Sequence, residues 1–312
     1  MPDRLIVSLP DDKLTAELAR IEPPLPDGAV EFVEWDLTGE PPADRIDIVV
    51  PGYMGSGSKR LAALDGVSVR LVQSQSIGYD GVAGILPAGL VFANASTVHE
   101  TATAELALAL LLASQRGIDD FVRQAEHGEW HGGRRPSLAD RTVLLLGYGG
   151  VSKAIEARLA PFEVAGVIRV ASTARADAAG PVHGIDELHA LLPQAEVVII
   201  GLPLNDGTRG LLGTAELALL PDDAVVVNVG RGPVLSTEAA LGEAGRLRFA
   251  LDVTDPEPLP ADHPLWSAPG VLIAPHVGGN ASAMEPRMAR LLRRQIDHLL
   301  AGEEPENVVL RS

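Results

Sequence analysis

RTVLLLGYGGVSKAIEARLAPF, residues 141–162, is the stretch whose reading decides the fold. The uninterrupted apolar run TVLLL (142–146) reads as a strand covered on both faces. Glycines follow at once, and KAIEARLAPF (153–162) has helical spacing. Strand, glycine turn and helix in that order form a cradle for a pyrophosphate. Gly147 permits the tight turn, Gly149 lets an anion approach the backbone, and the next helix offers its free N–H groups and positive dipole end. The third glycine of the usual G-x-G-x-x-G pattern serves helix–strand packing. Ser152 stands there instead, a small residue whose hydroxyl can bond locally at a helix start.

Working outward, the same alternation continues. GVIRVAS (166–172), AEVVIIGLP (195–203), AVVVNVG (224–230), RFALDV (248–253) and VLIAPH (271–276) are further apolar runs, as expected of a doubly wound parallel sheet. Upstream, LIVSL (5–9), EFVEW (31–35), IDIVV (46–50), VRLVQ (69–73) and LVFAN (90–94) read as strands. Segments 11–21 and 58–66 between them have helical spacing, which predicts a small flavodoxin-like α/β unit. Residues 97–128 predict a long helix broken near Gly117, with an apolar middle buried between domains or subunits. Residues 281–302 predict a last helix.

At 312 residues the chain suits two domains. Its 25 basic and 42 acidic residues give a net charge of −17, which repels phosphate backbones and argues against a nucleic-acid partner. The absence of cysteine removes disulfides, thiolate metal sites and cysteine nucleophiles, and no metal is expected. The opening MPDRLIVSLPDDK lacks an apolar signal core, and LALALLLAS (106–114) is about half the length needed to span a bilayer, so the expectation is a cytoplasmic protein without a membrane partner.

The strand after the glycine loop bears on which dinucleotide binds. An NAD site wants a carboxylate about 20 residues on, at the strand end, to grip the ribose 2′-hydroxyl. Here Ala171 ends the strand and STARAD (172–177) follows. Ser172, Thr173 and Arg175 suit a 2′-phosphate, which favours NADP; the alternative is NAD, with Asp177 reaching the ribose. Farther on, Arg231, Asp252, Glu257 and His276 lie at or just beyond strand ends, where ligands of open α/β sheets bind.

Taken together and in order, the glycine loop, GLPLNDGTRGLL (201–212), VVNVGRGPVLSTEAAL (226–241), LDVTDPEPLPADHPLW (251–266) and APHVGG (274–279) resemble the D-isomer-specific 2-hydroxyacid dehydrogenases. The likeness runs from about Thr97 to Val309 and is looser before that. It implies a substrate domain, 1–96 with 283–312, into which a Rossmann domain, 97–282, is inserted, and a homodimer built on the cofactor domain's long helix. It also implies an Arg231–Glu257–His276 catalytic triad. Arg231 would hold the substrate carboxylate. His276 would pass a proton to a 2-oxo acid's carbonyl while a nicotinamide supplies hydride, and Glu257 would hold the imidazole. Cofactor contacts carried over are Gly147, Gly149, Gly150, Val151, Thr103, Leu202, Pro203, Thr208, Val229, Asp252 and Gly278. SQSIGYDGV (74–82) resembles a substrate loop, with the amides of Ile77 and Gly78 for the carboxylate; Tyr53 and Met54 are candidates for side-chain selection. The expected activity is reduction of a small 2-oxo acid of the glyoxylate or hydroxypyruvate kind, with a bulkier oxo acid as the second choice. Formate oxidation is disfavoured because Glu257 stands where those relatives carry glutamine. A catalytically inactive dinucleotide-sensing module or corepressor is the competing class, since fold alone does not exclude it.

Overall fold

A computed structural model describes residues 4–53 and 58–312. The chain divides into two compact units, 1–99 with 281–312 and 100–280. The first begins with β1 (Leu5–Leu9), α1 (Lys13–Leu18), β2 (Val30–Glu34), β3 (Arg45–Val49), β4 (Ser68–Gln73) and β5 (Val91–Ala93). The second opens on α2 (Glu100–Arg116), α3 (Ile118–Glu126), β6 (Thr142–Leu146), α4 (Gly150–Leu159), β7 (Gly166–Ala171), β8 (Arg175–Asp177) and β9 (Gly180–Gly184). It continues through α5 (Leu188–Leu191), β10 (Val197–Ile200), α6 (Thr214–Leu217), β11 (Val225–Asn228), α7 (Thr237–Glu243), β12 (Arg248–Leu251) and β13 (Val271–Ile273). The chain then returns to the first unit with α8 (Met284–Ala301) and β14 (Val308–Arg311).

The first unit's sheet has the order β2-β1-β3-β4-β5-β14, parallel except for β14. Its first five strands follow the flavodoxin-like 2-1-3-4-5 sequence. The amphipathic α8 buries Met288, Leu291, Leu292 and Ile296 with Leu14 and Leu18 of α1 over one face. Trp35, Leu61, Leu64 and Leu86 cover the other. Each such fully buried side chain contributes about 1.5–3 kcal/mol.

In the second unit the order is β8-β9-β7-β6-β10-β11-β12-β13, with only β8 antiparallel. Leu144, Leu146, Val198, Ile200 and Val226 point into one core, and Val143, Leu145, Val197, Ile199 and Val225 into the other. Alternate residues thus face two buried sides, which is why the runs are apolar without a break. From β6 the chain turns to β7 on one side, and β10 lies on the other, so the topological switch point falls at the ends of β6 and β10.

Three local expectations change. The apolar middle of α2 is covered by its own unit: Ala104, Ala107, Leu108 and Leu111 pack with the core against α4, β11 and β12, and need no second domain or subunit. The 58–66 segment is a 3₁₀ helix, Ser58–Leu64, instead of an α-helix. STARAD is partly strand, β8 pairing antiparallel with β9 at the sheet edge, and the sequence predicts neither these two nor β14 because strands this short carry little pattern. Gly117 does break the long helix, at φ +63°. Among the described residues no helix is long and apolar enough to cross a membrane.

Candidate active site

The glycine loop is shaped by close backbone approach. Gly147 has φ +96°, and a Cβ there would stand 2.8 Å from the Leu202 amide nitrogen, so the turn after β6 presses on the turn after β10. Only glycine meets both conditions. Ser152 is buried, its hydroxyl donates to the Gly147 carbonyl, and its Oγ lies 2.7 Å from where a Cβ of Gly201 would be. The missing third glycine is thus compensated across the sheet: Gly201 makes room for the serine, and the serine ties the helix start to the turn. The N-cap of α4 is Gly149, which has no side chain to cap the helix, and a Cβ there would meet no protein atom within 4 Å. A helix start on a glycine with open space above it is what a pyrophosphate requires, so these residues fit a dinucleotide.

At the edge, the β8–β9 hairpin brings Arg175 back to the loop, its Nη2 donating to the Tyr148 carbonyl at 3.1 Å. Ser172 and Thr173 are exposed beside it. Asp177 accepts from the Ala179 amide at 2.9 Å and closes the hairpin turn. Tyr148 is itself held, its hydroxyl bonded to Glu156, which also pairs with Arg169. Burial and the neighbouring Glu156 carboxylate push the phenol up to about 12.

Beyond β11, β12 and β13 the candidate triad comes together. Asn228, fully buried at the end of β11, accepts from the Gly230 amide at 3.1 Å and donates to the Arg231 carbonyl at 3.0 Å. A Cβ on Gly232 would lie 1.9 Å from the Thr254 carbonyl oxygen, so the arginine loop is packed directly on the loop that carries Glu257. His276 follows β13 with φ +53°, a conformation that costs free energy in a non-glycine residue and is held by two bonds from its amide, to Asp252 O at 2.8 Å and Ala274 O at 3.1 Å. The buried Asp252 carboxylate accepts from Val277 N at 2.7 Å and Gly278 N at 2.9 Å, fixing the turn behind the histidine. Burial nevertheless raises its pKa, outweighing those two bonds.

His276 Nδ1 lies 2.5 Å from Glu257 Oε1, with both side chains partly exposed. This bond and the carboxylate's charge raise the histidine above its ordinary 6.5, against burial and the Arg231 charge. The same bond, with Arg231 nearby, lowers Glu257. The paired ring leaves Nε2 as the nitrogen that can meet a reactant. Fixed donor, charged partner and nearby guanidinium can move a proton to or from a bound oxygen while holding an anion.

The other expected contacts fall into two groups. Thr103 of α2 is buried against Gly278, its Cγ2 3.3 Å from where a Cβ would be, and Val229 and Leu202 are buried behind the strand ends. Gly150, Val151 and Pro203 lie at the rims of the two turns, while Thr208 donates to the Pro203 carbonyl at 2.8 Å and closes its own turn. In the first unit, Ile77 and Gly78 are half-buried and Tyr53 stacks on His99, at 5.4 Å between ring centroids. Met54 lies outside the described residues. The roles of Asn228, Gly201 and Gly232 emerge only in the structure; the one signal the sequence carries for them is a polar residue closing a buried strand, which points to Asn228.

Comparison with known proteins gives the same arrangement a family. The model for "D-isomer specific 2-hydroxyacid dehydrogenase, NAD binding domain" matches residues 108–278. The glyoxylate/hydroxypyruvate reductase B of Pectobacterium atrosepticum is 31% identical over 293 residues, covering 89% of this chain and 91% of that one. The human glyoxylate reductase/hydroxypyruvate reductase is 27% identical over 290 residues, covering 87% and 88%. Among solved structures, a D-isomer specific 2-hydroxyacid dehydrogenase from Xanthobacter autotrophicus Py2, in complex with NADPH and MES, superposes with a TM-score of 0.81 at 25% identity over 99% and 98% of the two chains. With the glycine cradle at the switch point and the arginine, glutamate and histidine beyond the neighbouring strands, the chain belongs to the D-isomer specific 2-hydroxyacid dehydrogenase family.

Proposed function

We propose that the protein reduces a small 2-oxo acid to the D-2-hydroxy acid, and runs the reverse reaction, with Arg231, Glu257 and His276 as its catalytic residues. The observation that carries this is the His276–Glu257 pair beside Arg231, which keeps the imidazole charged above its ordinary range. Arg231 offers a planar fork to the carboxylate and carbonyl oxygens. His276 donates from Nε2 to the carbonyl oxygen as it becomes a hydroxyl, and takes the proton back in the reverse direction. Glu257 holds Nδ1–H and balances the imidazolium. A nicotinamide supplies the hydride when bound. The amides of Ile77 and Gly78 are further proposed donors for a carboxylate. Glyoxylate and hydroxypyruvate are the substrates named for the two reductases to which the chain is similar, and they are the first to test. A panel of 2-oxo acids, each with NADH and NADPH, should show turnover on the small acids. Dinucleotide binding without turnover on any acid, even at high enzyme concentration, would instead support the sensing-module alternative.

For the dinucleotide we infer a preference for NADP(H). Arg175, held at the glycine loop, and the exposed Ser172 and Thr173 form a cation and two hydroxyls where NAD enzymes place a carboxylate, and Asp177 is occupied in its turn. The Xanthobacter autotrophicus structure holds NADPH. Arg175→Ala should weaken NADPH about 10- to 100-fold and NADH by less than about threefold, read by fluorescence titration. Equal losses would remove the basis for the preference.

The quaternary reading is a homodimer through the cofactor unit. Ile118, Phe121 and Val122 of α3 are exposed, and Ala109, Leu112, Ala113, Arg116, Ile118 and Phe162 line an apolar groove of about 480 Å³. This face, made by the outward side of α2 with α3 and not by the self-covered inward side of α2, is what a second copy would bury. Val122→Glu should convert a dimer to a monomer in light scattering; a wild-type protein that runs as a monomer at micromolar concentration would end the idea.

A further inference from the structure

The loop 74–78 is gripped from one side by a buried set of donors. The carbonyl of Gln75 lies 2.6 Å from His99 Nε2, that of Ser76 accepts from Ala95 N at 2.9 Å, and that of Ile77 accepts from Asn94 Nδ2 at 2.9 Å. A carbonyl only accepts, so Nε2 carries the His99 proton. Both His99, at 4% exposure, and Asn94, at 8%, are buried. In a trans peptide the C=O of one residue and the N–H of the next lie in one plane and point oppositely. Three carbonyls drawn toward residues 94–99 therefore turn the following amides the other way. The Ser76 amide is taken by Ser74 Oγ at 3.0 Å, whereas those of Ile77 and Gly78 bond to no other described residue.

His99 and the Gln75 that it holds reach the neighbouring segment. His99 stacks on Tyr53 with 13° between ring planes, and Gln75 Nε2 donates to the Pro51 carbonyl at 2.9 Å. Asn94 is fixed in turn by accepting from Ser96 N at 3.2 Å, and its own carbonyl accepts from Gln73 Nε2 at 3.0 Å. Gln295 of α8, fully buried, donates to Gln73 Oε1 at 2.7 Å. Buried polar networks in which the members are paired to one another hold a single geometry.

We propose that Asn94 and His99 are positioning residues for substrate recognition: Asn94 turns the Gly78 amide outward through the Ile77 carbonyl, and His99 pins the Gln75 peptide at the loop's entry, so that the Ile77 and Gly78 amides stand as a preorganised pair of donors for a carboxylate. The proposal rests on the reading that this loop takes the carboxylate of the 2-oxo acid. His99→Phe keeps a ring against Tyr53 and removes the donor; Asn94→Ala removes the other; His99→Gln restores an N–H. Glyoxylate kinetics, oxamate inhibition and NADPH titration are measured on the full-length protein, beside Gly78→Pro, which deletes one amide donor outright. His99→Phe and Asn94→Ala should each raise KM for glyoxylate and the oxamate inhibition constant about 5- to 30-fold, with kcat within about threefold and NADPH affinity unchanged. His99→Gln should recover most of the loss. If both variants keep the wild-type KM while Gly78→Pro raises it, the loop binds the carboxylate unaided and the positioning role is overturned. If Gly78→Pro also leaves KM unchanged, the reading of the loop itself fails. Loss of NADPH affinity or of kcat in proportion to KM would show a general structural role and equally overturn the proposal.

Discussion

Replacing His276 by alanine is expected to lower kcat for 2-oxo acid reduction by about 10²–10⁴-fold, while NADPH titrates as in the parent protein. The proton donor is lost, and the glycine cradle is built from other residues. Retained turnover would refute the acid role. The parent enzyme's pH dependence follows from the same pair. In the proposed mechanism reduction uses the imidazolium, which is present below the histidine's pKa. Glu257 raises that pKa above 6.5, so kcat/KM for reduction should hold through 6.5 and fall at higher pH. Oxidation of the hydroxy acid uses the neutral ring and should rise over the same interval. Glu257→Gln keeps an acceptor but removes the charge, so the fall should move to lower pH. A profile that stays in place would dissociate Glu257 from the titration.

Arg231→Ala should cost about a thousandfold in kcat/KM, on the order of 4 kcal/mol of transition-state stabilisation. A guanidinium that meets both the carboxylate and the developing oxyanion contributes to binding and to the chemical step, so KM should rise and kcat fall together. Arg231→Lys should recover only part of this, because an ammonium keeps the charge without the fork. The loop around Arg231 is held independently by Asn228 and by the Gly232–Thr254 contact, so the substitution should leave the fold in place. An unchanged KM would count against the carboxylate grip.

These side chains are visible in the sequence because residue type and position relative to an apolar run are local properties. Buried strands announce themselves by continuous Val, Ile and Leu, and whatever polar residue follows each one stands at the rim where ligands bind. Arg231, Glu257 and His276 could be picked out on that basis, and so could Gly147 and Gly149. The β8–β9 hairpin is hidden in the sequence because the three-residue edge strand β8 and the glycine-bounded β9 have no usable periodicity, and its pairing is what carries Arg175 to the Tyr148 carbonyl. The apolar middle of α2 predicts a covered helix without telling whether its own unit, another domain or a subunit covers it, because apolarity says that a residue is buried and not by what.

The sequence alone determined the fold class, the glycine cradle and the kinds of group available for chemistry. The tertiary structure decided how those groups are held. Ser152 works in a loop that lacks its third glycine because Gly201, 49 residues later, stands opposite it. His276 keeps its left-handed backbone because Asp252 holds the turn behind it through the amides of Val277 and Gly278. The amides of Ile77 and Gly78 face away from residues 94–99 because Ala95 and Asn94 draw the Ser76 and Ile77 carbonyls inward, while His99 holds the Gln75 carbonyl before them. Every residue but proline has the same backbone donor and acceptor, so no residue letter records where they point. Their direction is set by whichever distant group satisfies them once the chain has folded.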